Sequence, residues 1–588
     1  MKYSDVLADW LVQLGYTHCF YLAGGNIMHL LESVSRRFTA IPVVHEVCGG
    51  IAAEYFTEIP EGGRAFALVT AGPGLTNIVT AMAGAFLESR ELLVLGGQVK
   101  VPDLARGQLR QRGIQEIAGV DIARPVTVLS HLMDEVLDRE AFCRVAESGS
   151  SGRKGPVFIE IPLDIQARDV DADALGASPL AVRRGTAPQG PSAAEMDKVA
   201  AMVRAAERPV LLLGGGVSRA AAAAADFAAM GVPVQTTWNG ADRVAADHPL
   251  YFGRPNTWGQ RYANLVLQQA DLVVALGSRL GLQQTGFNHQ EFAPVAKVVQ
   301  VDCDPAELDK GHPRVDLPLC GDADRVLAHL GSATLGDHGA WVEYCREIKA
   351  SVPLIEPINT TGPDFISPYV FCETLSRLCA EGDVVIPCSS GGAFTVMMQT
   401  FAQKRGQRIV TDKGLASMGY GLSGAIGAAL AADGKRTVLV EGDGGFAQNL
   451  QEIGTVAANR LNLKMFVFDD SGYASIRMTQ RNYFGGRYVG CDLNTGLGLP
   501  DWDKLFGVWG VPAYRLKPGF ADDAGFRALF DQPGPVGFIV PVDPGQTYLP
   551  KIASRVTETG GMVSNPLHLM SPPLDDAVMA RVGRYLPK

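Results

Sequence analysis

The chain has 588 residues, of which 47% are hydrophobic and 19% charged, and its 52 Lys and Arg against 62 Asp and Glu give a net charge of −10. This composition is typical of a globular protein, and the mild acidity argues against a nucleic-acid-binding surface, which needs clustered cations. No apolar run reaches the roughly 18 residues of a membrane span. We therefore expect a cytoplasmic protein that contacts neither nucleic acid nor membrane.

The N-terminal residues have the pattern of an amphipathic helix, with Ser4 as its N-cap and Gly15 at its end. They lack the basic, apolar and small-residue order of a signal peptide. Short apolar runs then alternate with helical stretches, at 65–70, 91–97, 156–162, 209–216, 271–278, 297–302, 383–390, 436–444 and 463–470. Apolar strands separated by helices predict parallel sheets covered on both faces, so the fold class is α/β.

Two segments interrupt this alternation and indicate linkers. Residues 166–195 are charged and then rich in Ala, Pro and Gly, and residues 350–366 are rich in Pro and Thr. They divide the chain into three doubly wound α/β domains and a tail, with boundaries at 1–170, 190–348, 366–545 and 546–588.

Two acidic residues follow neighbouring predicted strands in the third domain. Asp443 lies in a turn with Gly442, Gly444 and Gly445, and Asp470 ends the next strand 27 positions later. The carboxyl ends of such strands form the crevice where open α/β sheets bind ligands. Glycines allow the backbone to approach a phosphate, and oxygen ligands suit Mg²⁺. The alternative is a simple turn with Asp470 as a helix cap, which the pairing at this spacing disfavours.

The segments GDGGFAQNLQEIGT (442–455) and LKMFVFDDSGY (463–473) resemble the diphosphate and metal motif of thiamine-diphosphate enzymes, most closely the acetohydroxyacid synthase and pyruvate oxidase group. Further segments resemble motifs of this group and occur along the chain in the order that the family has, at 43–56, 70–77, 113–127, 155–166, 414–430 and 564–574. The resemblance covers nearly the whole chain. It implies a pyrimidine-binding domain over 1–170, a central FAD-type domain over 190–348, a diphosphate and Mg²⁺ domain over 366–545, and a tail over 546–588 that covers the active site.

The resemblance also implies roles for residues around the thiamine ring. Glu46 should hydrogen-bond the aminopyrimidine and favour the imino tautomer, whose nitrogen removes the thiazolium C2 proton. Met418 should hold the cofactor in its bent form, with the Ala416 carbonyl facing the amino group. Without the resemblance, Glu46 would be one member of a charged pair with His45, and Met418 would be core filler.

At the diphosphate, the resemblance implies that Asp443, Asp470 and the Gly472 carbonyl hold Mg²⁺. Family members usually have Asn where Asp470 stands, so this chain keeps an oxygen ligand but adds a negative charge. The diphosphate should be cradled by backbone groups of small residues, namely Gly391, Gly392, Ala393, Gly442, Gly444 and Gly445.

In the middle of the chain, LLLGGGVSRA (211–220), GSRLGLQQTG (277–286) and VDCDPAELDK (301–310) resemble the FAD-binding domain of the acetohydroxyacid synthases. The residues implied in FAD binding are Gly215, Gly216, Arg279, Asp302 and Asp304. Acids that follow a strand, as Asp302 and Asp304 do, are typical ribose ligands. The alternative is a degenerate Rossmann-like spacer that has lost its nucleotide, and the motif context favours FAD.

The chain departs from the acetohydroxyacid synthases around the expected acceptor pocket. Gln283 replaces the Arg that holds the carboxylate of the second ketoacid, Leu163 replaces Lys, and Thr479 replaces a bulky Trp. Asn26 replaces Ala. The resemblance therefore implies the loss of a charge-assisted carboxylate clamp. We expect His29 and Gln115 to face this pocket as well, although His29 fits a structural helix histidine equally well.

These observations predict a thiamine-diphosphate carboligase. It would decarboxylate a 2-ketoacid such as pyruvate and transfer the acyl carbanion to a ketone or keto-sugar. The alternatives are an acetolactate synthase, a cyclic diketone hydrolase, a 2-hydroxyacyl-CoA lyase and a non-catalytic member of the superfamily. The family implies a homodimer or homotetramer with active sites between subunits, and FAD that undergoes no net redox change.

Overall fold

A computed structural model describes residues 1–59, 63–176, 190–556 and 560–587. The strands of this structure, in chain order, are β1 (Tyr16–Tyr21), β2 (Thr39–Pro42), β3 (Arg64–Val69), β4 (Leu92–Gln98), β5 (Leu129–Leu132), β6 (Pro156–Pro162), β7 (Pro209–Leu213), β8 (Val234–Thr236), β9 (Leu272–Leu276), β10 (Lys297–Asp302), β11 (Leu317–Cys320), β12 (Val384–Ile386), β13 (Arg408–Ile409), β14 (Thr437–Gly442), β15 (Leu463–Asp469), β16 (Ala513–Arg515), β17 (Val536–Pro541), β18 (Lys551–Ile552), β19 (Ser554–Val556), β20 (Met562–Ser564) and β21 (Met570–Ser571).

The α-helices lie mostly between these strands. They are α1 (Tyr3–Gln13), α2 (Met28–Ser35), α3 (Glu46–Thr57), α4 (Pro73–Glu88), α5 (Gly119–Ala123), α6 (Arg139–Ala146), α7 (Leu163–Gln166), α8 (Ala172–Gly176), α9 (Ala193–Ala205), α10 (Arg219–Ala224), α11 (Phe227–Met230), α12 (Arg261–Gln269), α13 (Pro305–Asp309), α14 (Ala323–Ser332), α15 (Gly339–Ser351), α16 (Pro368–Leu378), α17 (Gly391–Thr400), α18 (Tyr420–Ala431), α19 (Asp443–Phe446), α20 (Ile453–Ala458), α21 (Ala474–Tyr483), α22 (Trp502–Val508), α23 (Ala524–Asp531) and α24 (Asp576–Val582).

The chain forms two compact units. Unit 1 contains residues 1–186, 383–391 and 410–541, and unit 2 contains residues 187–382, 392–409 and 542–588. In unit 1, the first sheet has the parallel order β2-β1-β3-β4-β6-β5, and a second sheet contains the parallel order β12-β14-β15-β17-β16. In unit 2, one parallel sheet has the order β11-β10-β9-β7-β8. The expected α/β class with three parallel sheets is confirmed.

The first sheet is covered on both faces, as its continuous apolar strands predict. Along β3, Phe66 and Leu68 pack in one hydrophobic cluster with α1, whereas Ala67 and Val69 pack in another with α3. The alternation follows from the strand geometry, in which successive side chains point to opposite faces. Helices on both faces make this sheet doubly wound.

Helices α3 and α18 join the two sheets of unit 1 into one hydrophobic core. Their backbones approach so closely that a Cβ at Gly424 would lie 2.5 Å from the ring of Tyr55. A Cβ at Gly427 would lie 2.0 Å from the carbonyl oxygen of Ala52. Glycine is therefore required at both positions, and two predicted domains that are distant in sequence form a single unit.

The expectations about the chain ends and the first linker have three different outcomes. Ser4 is not the N-cap of α1, because the helix already begins at Tyr3 and the Ser4 hydroxyl lies 2.9 Å from that of Ser33. Residues 177–189 of the first predicted linker lie outside the described residues. The described tail residues belong to unit 2, and their role as an active-site cover stays a prediction. Within the described ranges, no helix is long and apolar enough to cross a membrane.

Candidate active site

Glu46 lies at the carboxyl edge of the first sheet, where α3 begins shortly after β2 ends. Its side chain is only 4% exposed, and its Oε2 accepts a hydrogen bond of 2.9 Å from Nδ2 of Asn77 on α4. The preceding His45 caps α3, since its Nδ1 accepts from the Val47 amide at 3.3 Å. The carboxyl group is thus buried and oriented by an amide, and no cation is among these hydrogen-bond partners.

Glu452 holds the backbone immediately before Glu46. Its Oε1 accepts from the amides of His45 at 2.9 Å and Val44 at 3.1 Å, and its Oε2 accepts from the Thr455 hydroxyl at 2.6 Å. Glu452 is fully buried, and burial raises its pKa although the Thr455 and backbone hydrogen bonds oppose the shift. This carboxylate of the second sheet's domain therefore fixes the N-terminus of α3.

We predict that Glu452→Ala destabilises the protein by about 1–3 kcal/mol, because two partly buried amides lose their acceptor. Turnover should fall as well, because the start of α3 and hence Glu46 is no longer held in place. Glu452→Gln keeps one acceptor oxygen, so its stability and turnover should lie between those of the wild type and Glu452→Ala. Thermal unfolding and kcat of the three proteins test this. An unchanged melting temperature in Glu452→Ala would contradict it.

Four other predicted site residues also lie at this edge of the first sheet. Asn26 follows β1, its amide donates to the Thr70 hydroxyl at 3.4 Å, and its carbonyl accepts from Gln166 at 2.8 Å. Gln115 has a φ of +63° and its carbonyl oxygen lies 2.4 Å from where a Cβ of Gly72 would be. The other two are half-buried, His29 in α2 and Leu163 at the start of α7.

Asp443 lies at the carboxyl end of β14, at the start of α19, and is fully buried. Its Oδ1 accepts from the Gly444 amide at 2.6 Å and its Oδ2 from the Gly472 amide at 3.0 Å. Gly472 has a φ of +142°, and a Cβ there would lie 2.3 Å from the Cys491 carbonyl oxygen. The turn after β15 therefore requires glycine and is bonded directly to the Asp443 carboxylate.

Asp470, which directly follows β15, is buried beside Asp443. Burial and the charge of Asp470 raise the pKa of Asp443 well above its ordinary value, and burial also raises the pKa of Asp470. A divalent cation would stabilise the ionised form of these two buried carboxyl groups, and their hard oxygen atoms suit Mg²⁺. Among the described residues, no group of three or more His, Cys, Asp or Glu could hold a metal. The two carboxylates fit a bound cation, whereas the Gly472 carbonyl accepts from the Ala474 amide at 3.2 Å and its part as a third ligand stays a prediction.

Met418 borders a cleft in unit 1 with a volume of about 550 Å³. The residues that line the cleft are Val44, His45, Val47, Thr76, Asn77, Thr80, Ser417, Met418, Gln448, Asn449 and Gln451. Ala416, two residues before Met418, has a φ of +55°, and the next carbonyl, that of Ser417, accepts from the Ser389 hydroxyl at 2.5 Å. Such a conformation is strained for a residue with a side chain and is characteristic of functional sites.

The small residues predicted for the diphosphate lie in two turns. Gly391 has a φ of +76° at the start of α17 and is followed in the first turn by Gly392 and Ala393. After β14, a Cβ at Gly444 would lie 2.3 Å from the Tyr473 ring, and one at Gly445 would lie 3.1 Å from Glu441, whereas Gly442 has open space. Glycine-rich turns that open a helix are typical of phosphate sites, because their backbone amides have no partner within the helix.

The predicted FAD residues lie along one edge of the sheet in unit 2. Gly215 and Gly216 follow β7, Arg279 follows β9, and Asp302 ends β10. These strands are neighbours in the order β10-β9-β7, so their carboxyl ends meet at the same edge. Asp302 accepts from the amide of Asp304, which caps α13. The placement fits a nucleotide-binding crevice.

The two remaining residues predicted for the acceptor pocket lie in different units. Gln283 is half-buried in unit 2, and its main-chain carbonyl accepts from the Thr257 amide and hydroxyl at 3.1 Å and 2.8 Å. Thr479 is exposed on α21 in unit 1, and its hydroxyl donates to the Ser475 carbonyl one turn earlier at 3.0 Å.

Sequence reasoning missed Asn77, Glu452 and Arg477. Asn77 ends the TAGPGLTN motif and Glu452 lies in GDGGFAQNLQEIGT, so the motifs contained both without indicating their contacts. Arg477 binds Asp470 at 2.8 Å, and the replacement of the family Asn by Asp470 was the signal for a compensating cation.

Buried carboxylates at the edges of two parallel sheets, together with a third parallel sheet, are typical of an α/β enzyme that binds its ligands at strand ends. Three family models match the chain: the N-terminal TPP binding domain of thiamine pyrophosphate enzymes at 1–122, their central domain at 196–330 and their C-terminal TPP binding domain at 390–540.

Curated relatives match over almost the whole chain. "Acetolactate synthase 1, chloroplastic" of Zea mays is 30% identical over 94% of this chain and 87% of its own length. "Acetolactate synthase large subunit" of Corynebacterium glutamicum is 30% identical over 92% and 87%, and "Probable acetolactate synthase large subunit" of Methanocaldococcus jannaschii is 29% identical over 88% of each. The chain belongs to the thiamine pyrophosphate enzyme family, in the group of acetohydroxyacid synthases and pyruvate oxidases. The predicted class of thiamine-diphosphate-dependent C–C lyases and transferases is thereby confirmed.

Proposed function

We propose that the protein is a Mg²⁺-dependent carboligase that decarboxylates a 2-ketoacid and joins the remaining acyl unit to the carbonyl group of a second molecule. The observation that carries this proposal is the pair of sites in unit 1: Glu46 with Asn77 at the edge of one sheet, and Asp443 with Asp470 at the edge of the other. The relatives' names favour acetolactate formation, in which pyruvate is both donor and acceptor.

Thiamine diphosphate, when bound, supplies a carbon nucleophile and an electron sink for decarboxylation. Glu46 would hold a proton at its carboxyl group close to the aminopyrimidine. Its burial shields the carboxyl group from bulk water, so that a proton held there is passed to the bound group rather than to solvent. Asn77 orients that group, and Asp443 with Asp470 would bind the cation of the diphosphate.

A second candidate is transfer to a neutral ketone or keto-sugar, and the acceptor residues favour it. A carboxylate entering a partly desolvated pocket needs a paired cation, and a charge-assisted bond there contributes roughly 1.5–3 kcal/mol. Gln283 can donate a neutral hydrogen bond but carries no charge, and Leu163 adds no cation. Thr479 leaves more space than the Trp of the family.

A competition between pyruvate and a cyclic or sugar ketone decides between these candidates. Acetolactate as the main product supports the first, whereas a tertiary alcohol formed from the ketone supports the second. Gln283→Arg should then move the product toward acetolactate, and Gln290→Arg, at an exposed position of the same unit, is the control for a new charge. Cleavage of a diketone or of a 2-hydroxyacyl-CoA without carboligation would contradict both.

FAD in unit 2 and a dimeric or tetrameric assembly are part of the same proposal. The edge formed by β10, β9 and β7 supports FAD, and we expect the gently purified protein to absorb as a flavoprotein without net redox change during turnover. A colourless protein that gains no activity from added FAD would contradict this. Light scattering of the holoenzyme measures the assembly, and an active monomer would contradict an active site between subunits.

A further inference from the structure

Arg477 makes an ion pair with the predicted metal ligand Asp470 inside unit 1. The side chains are 6% and 5% exposed, and one guanidinium nitrogen lies 2.8 Å from Oδ1 of Asp470 and 2.7 Å from its main-chain oxygen. The guanidinium also packs against the turn, because a Cβ on Gly472 would lie 3.1 Å from Nη1. Arg477 thus binds both the side chain and the main chain of Asp470.

The charges around Asp470 show what this pair does. Asp443 and Asp470 would place two negative charges in a buried site, at a cost that only a paired cation offsets. The adjacent Asp469 is paired separately, with Arg515 at 2.9 Å. Arg477 therefore cancels the charge that Asp470 adds relative to the Asn of the family.

We propose that Arg477 is the resident countercharge of the metal site. With Arg477 bound to Asp470, the site presents to a divalent cation one net negative charge, that of Asp443, as an Asp and Asn pair would. Arg477 holds Asp470 through Oδ1 and through its main-chain oxygen, which fixes the carboxylate at the site. This inference rests on the proposed function, and it makes Arg477 a positioning residue that touches neither substrate nor cofactor.

The test uses the full-length protein stripped of metal and the variants Arg477→Met, Asp470→Asn and their double mutant. Melting temperature is measured without metal and during Mg²⁺ titration at fixed thiamine diphosphate. Without metal, each single variant should melt lower than wild type, and the double mutant should recover. The Mg²⁺ concentration for half-maximal stabilisation should fall about tenfold in Arg477→Met and rise about tenfold in Asp470→Asn. The double mutant should return close to the wild-type value.

The ion pair of Arg436 and Asp383 in the same unit, 2.8 Å apart with side chains 14% and 8% exposed, is the control. Its variants Arg436→Met and Asp383→Asn should lower the melting temperature and leave the Mg²⁺ response unchanged. If Arg477→Met does not fold, Arg477→Lys keeps the charge and should retain the wild-type Mg²⁺ response with a lower melting temperature.

A wild-type Mg²⁺ response that Arg477→Met leaves unchanged would overturn the countercharge role alone. Strictly additive losses of stability in the double mutant would overturn it too. A wild-type protein that neither Mg²⁺ nor thiamine diphosphate stabilises would instead overturn the proposed function on which the inference rests.

Discussion

Glu46→Gln is expected to bind thiamine diphosphate with nearly wild-type affinity and to turn over at least about a hundredfold more slowly, since positioned proton transfer contributes typically 10²- to 10⁴-fold. Glutamine keeps the shape of the side chain and can still accept the hydrogen bond from Asn77. The glutamine amide, however, cannot take up and release a proton as the carboxyl group of Glu46 can. Binding and turnover therefore separate in this variant, which a general loss of structure would not produce.

Two measurements check this expectation: kcat with a 2-ketoacid, and the exchange of the C2 proton of the bound cofactor with deuterium. Both should fall together in Glu46→Gln. Glu58→Gln, at the other end of α3, removes a carboxyl group from the same helix and should change neither. Exchange at the wild-type rate in Glu46→Gln would show that this residue does not move the proton.

The sheets were predictable from the sequence because their strands are continuous apolar runs that only a doubly covered parallel sheet accommodates. Runs such as 463–470 and 436–444 correspond to β15 and β14, the centre of the second sheet in unit 1. The union of two predicted domains was not predictable in this way. It depends on contacts such as that between Tyr55 and Gly424, which join positions far apart in the chain.

The candidate site shows the same division. Motifs placed Glu46, Asp443 and Asp470 at strand ends, because the carboxyl ends of parallel strands are where such folds bind ligands. The partners that orient these residues can be distant in sequence. Glu452 is more than 400 positions from the amides whose hydrogen bonds it accepts. Arg477 lies in the first turn of α21, where a helical Arg would ordinarily be taken as solvent-facing. The local pattern does not identify such partners, although the acid at position 470 signals that a cation is needed nearby.

Asp443→Asn is expected to weaken stabilisation by Mg²⁺ and thiamine diphosphate strongly while leaving the metal-free protein at least as stable as the wild type. The amide oxygen can still accept from Gly444 or Gly472, so the turn between β15 and α21 remains held. A fully buried negative charge beside Asp470 is removed, which relieves a cost of desolvation and repulsion. The same charge is the strongest attraction for the cation.

Metal-free melting temperature and Mg²⁺ titration measure both sides of this prediction, and we expect at least roughly a hundredfold more Mg²⁺ to be needed, since a buried charge interacts strongly with a bound cation. Asp469→Asn is the control, because Asp469 adjoins the site in sequence but is paired with Arg515 near the surface. It should leave the Mg²⁺ response within about threefold of wild type, as expected for a partly exposed ion pair. A normal Mg²⁺ response in Asp443→Asn would show that this residue does not bind the metal. Arg477 neutralises the charge of Asp470, so Asp443 supplies the net negative charge of this pair of carboxylates, and the neutral amide oxygen of Asn cannot replace it.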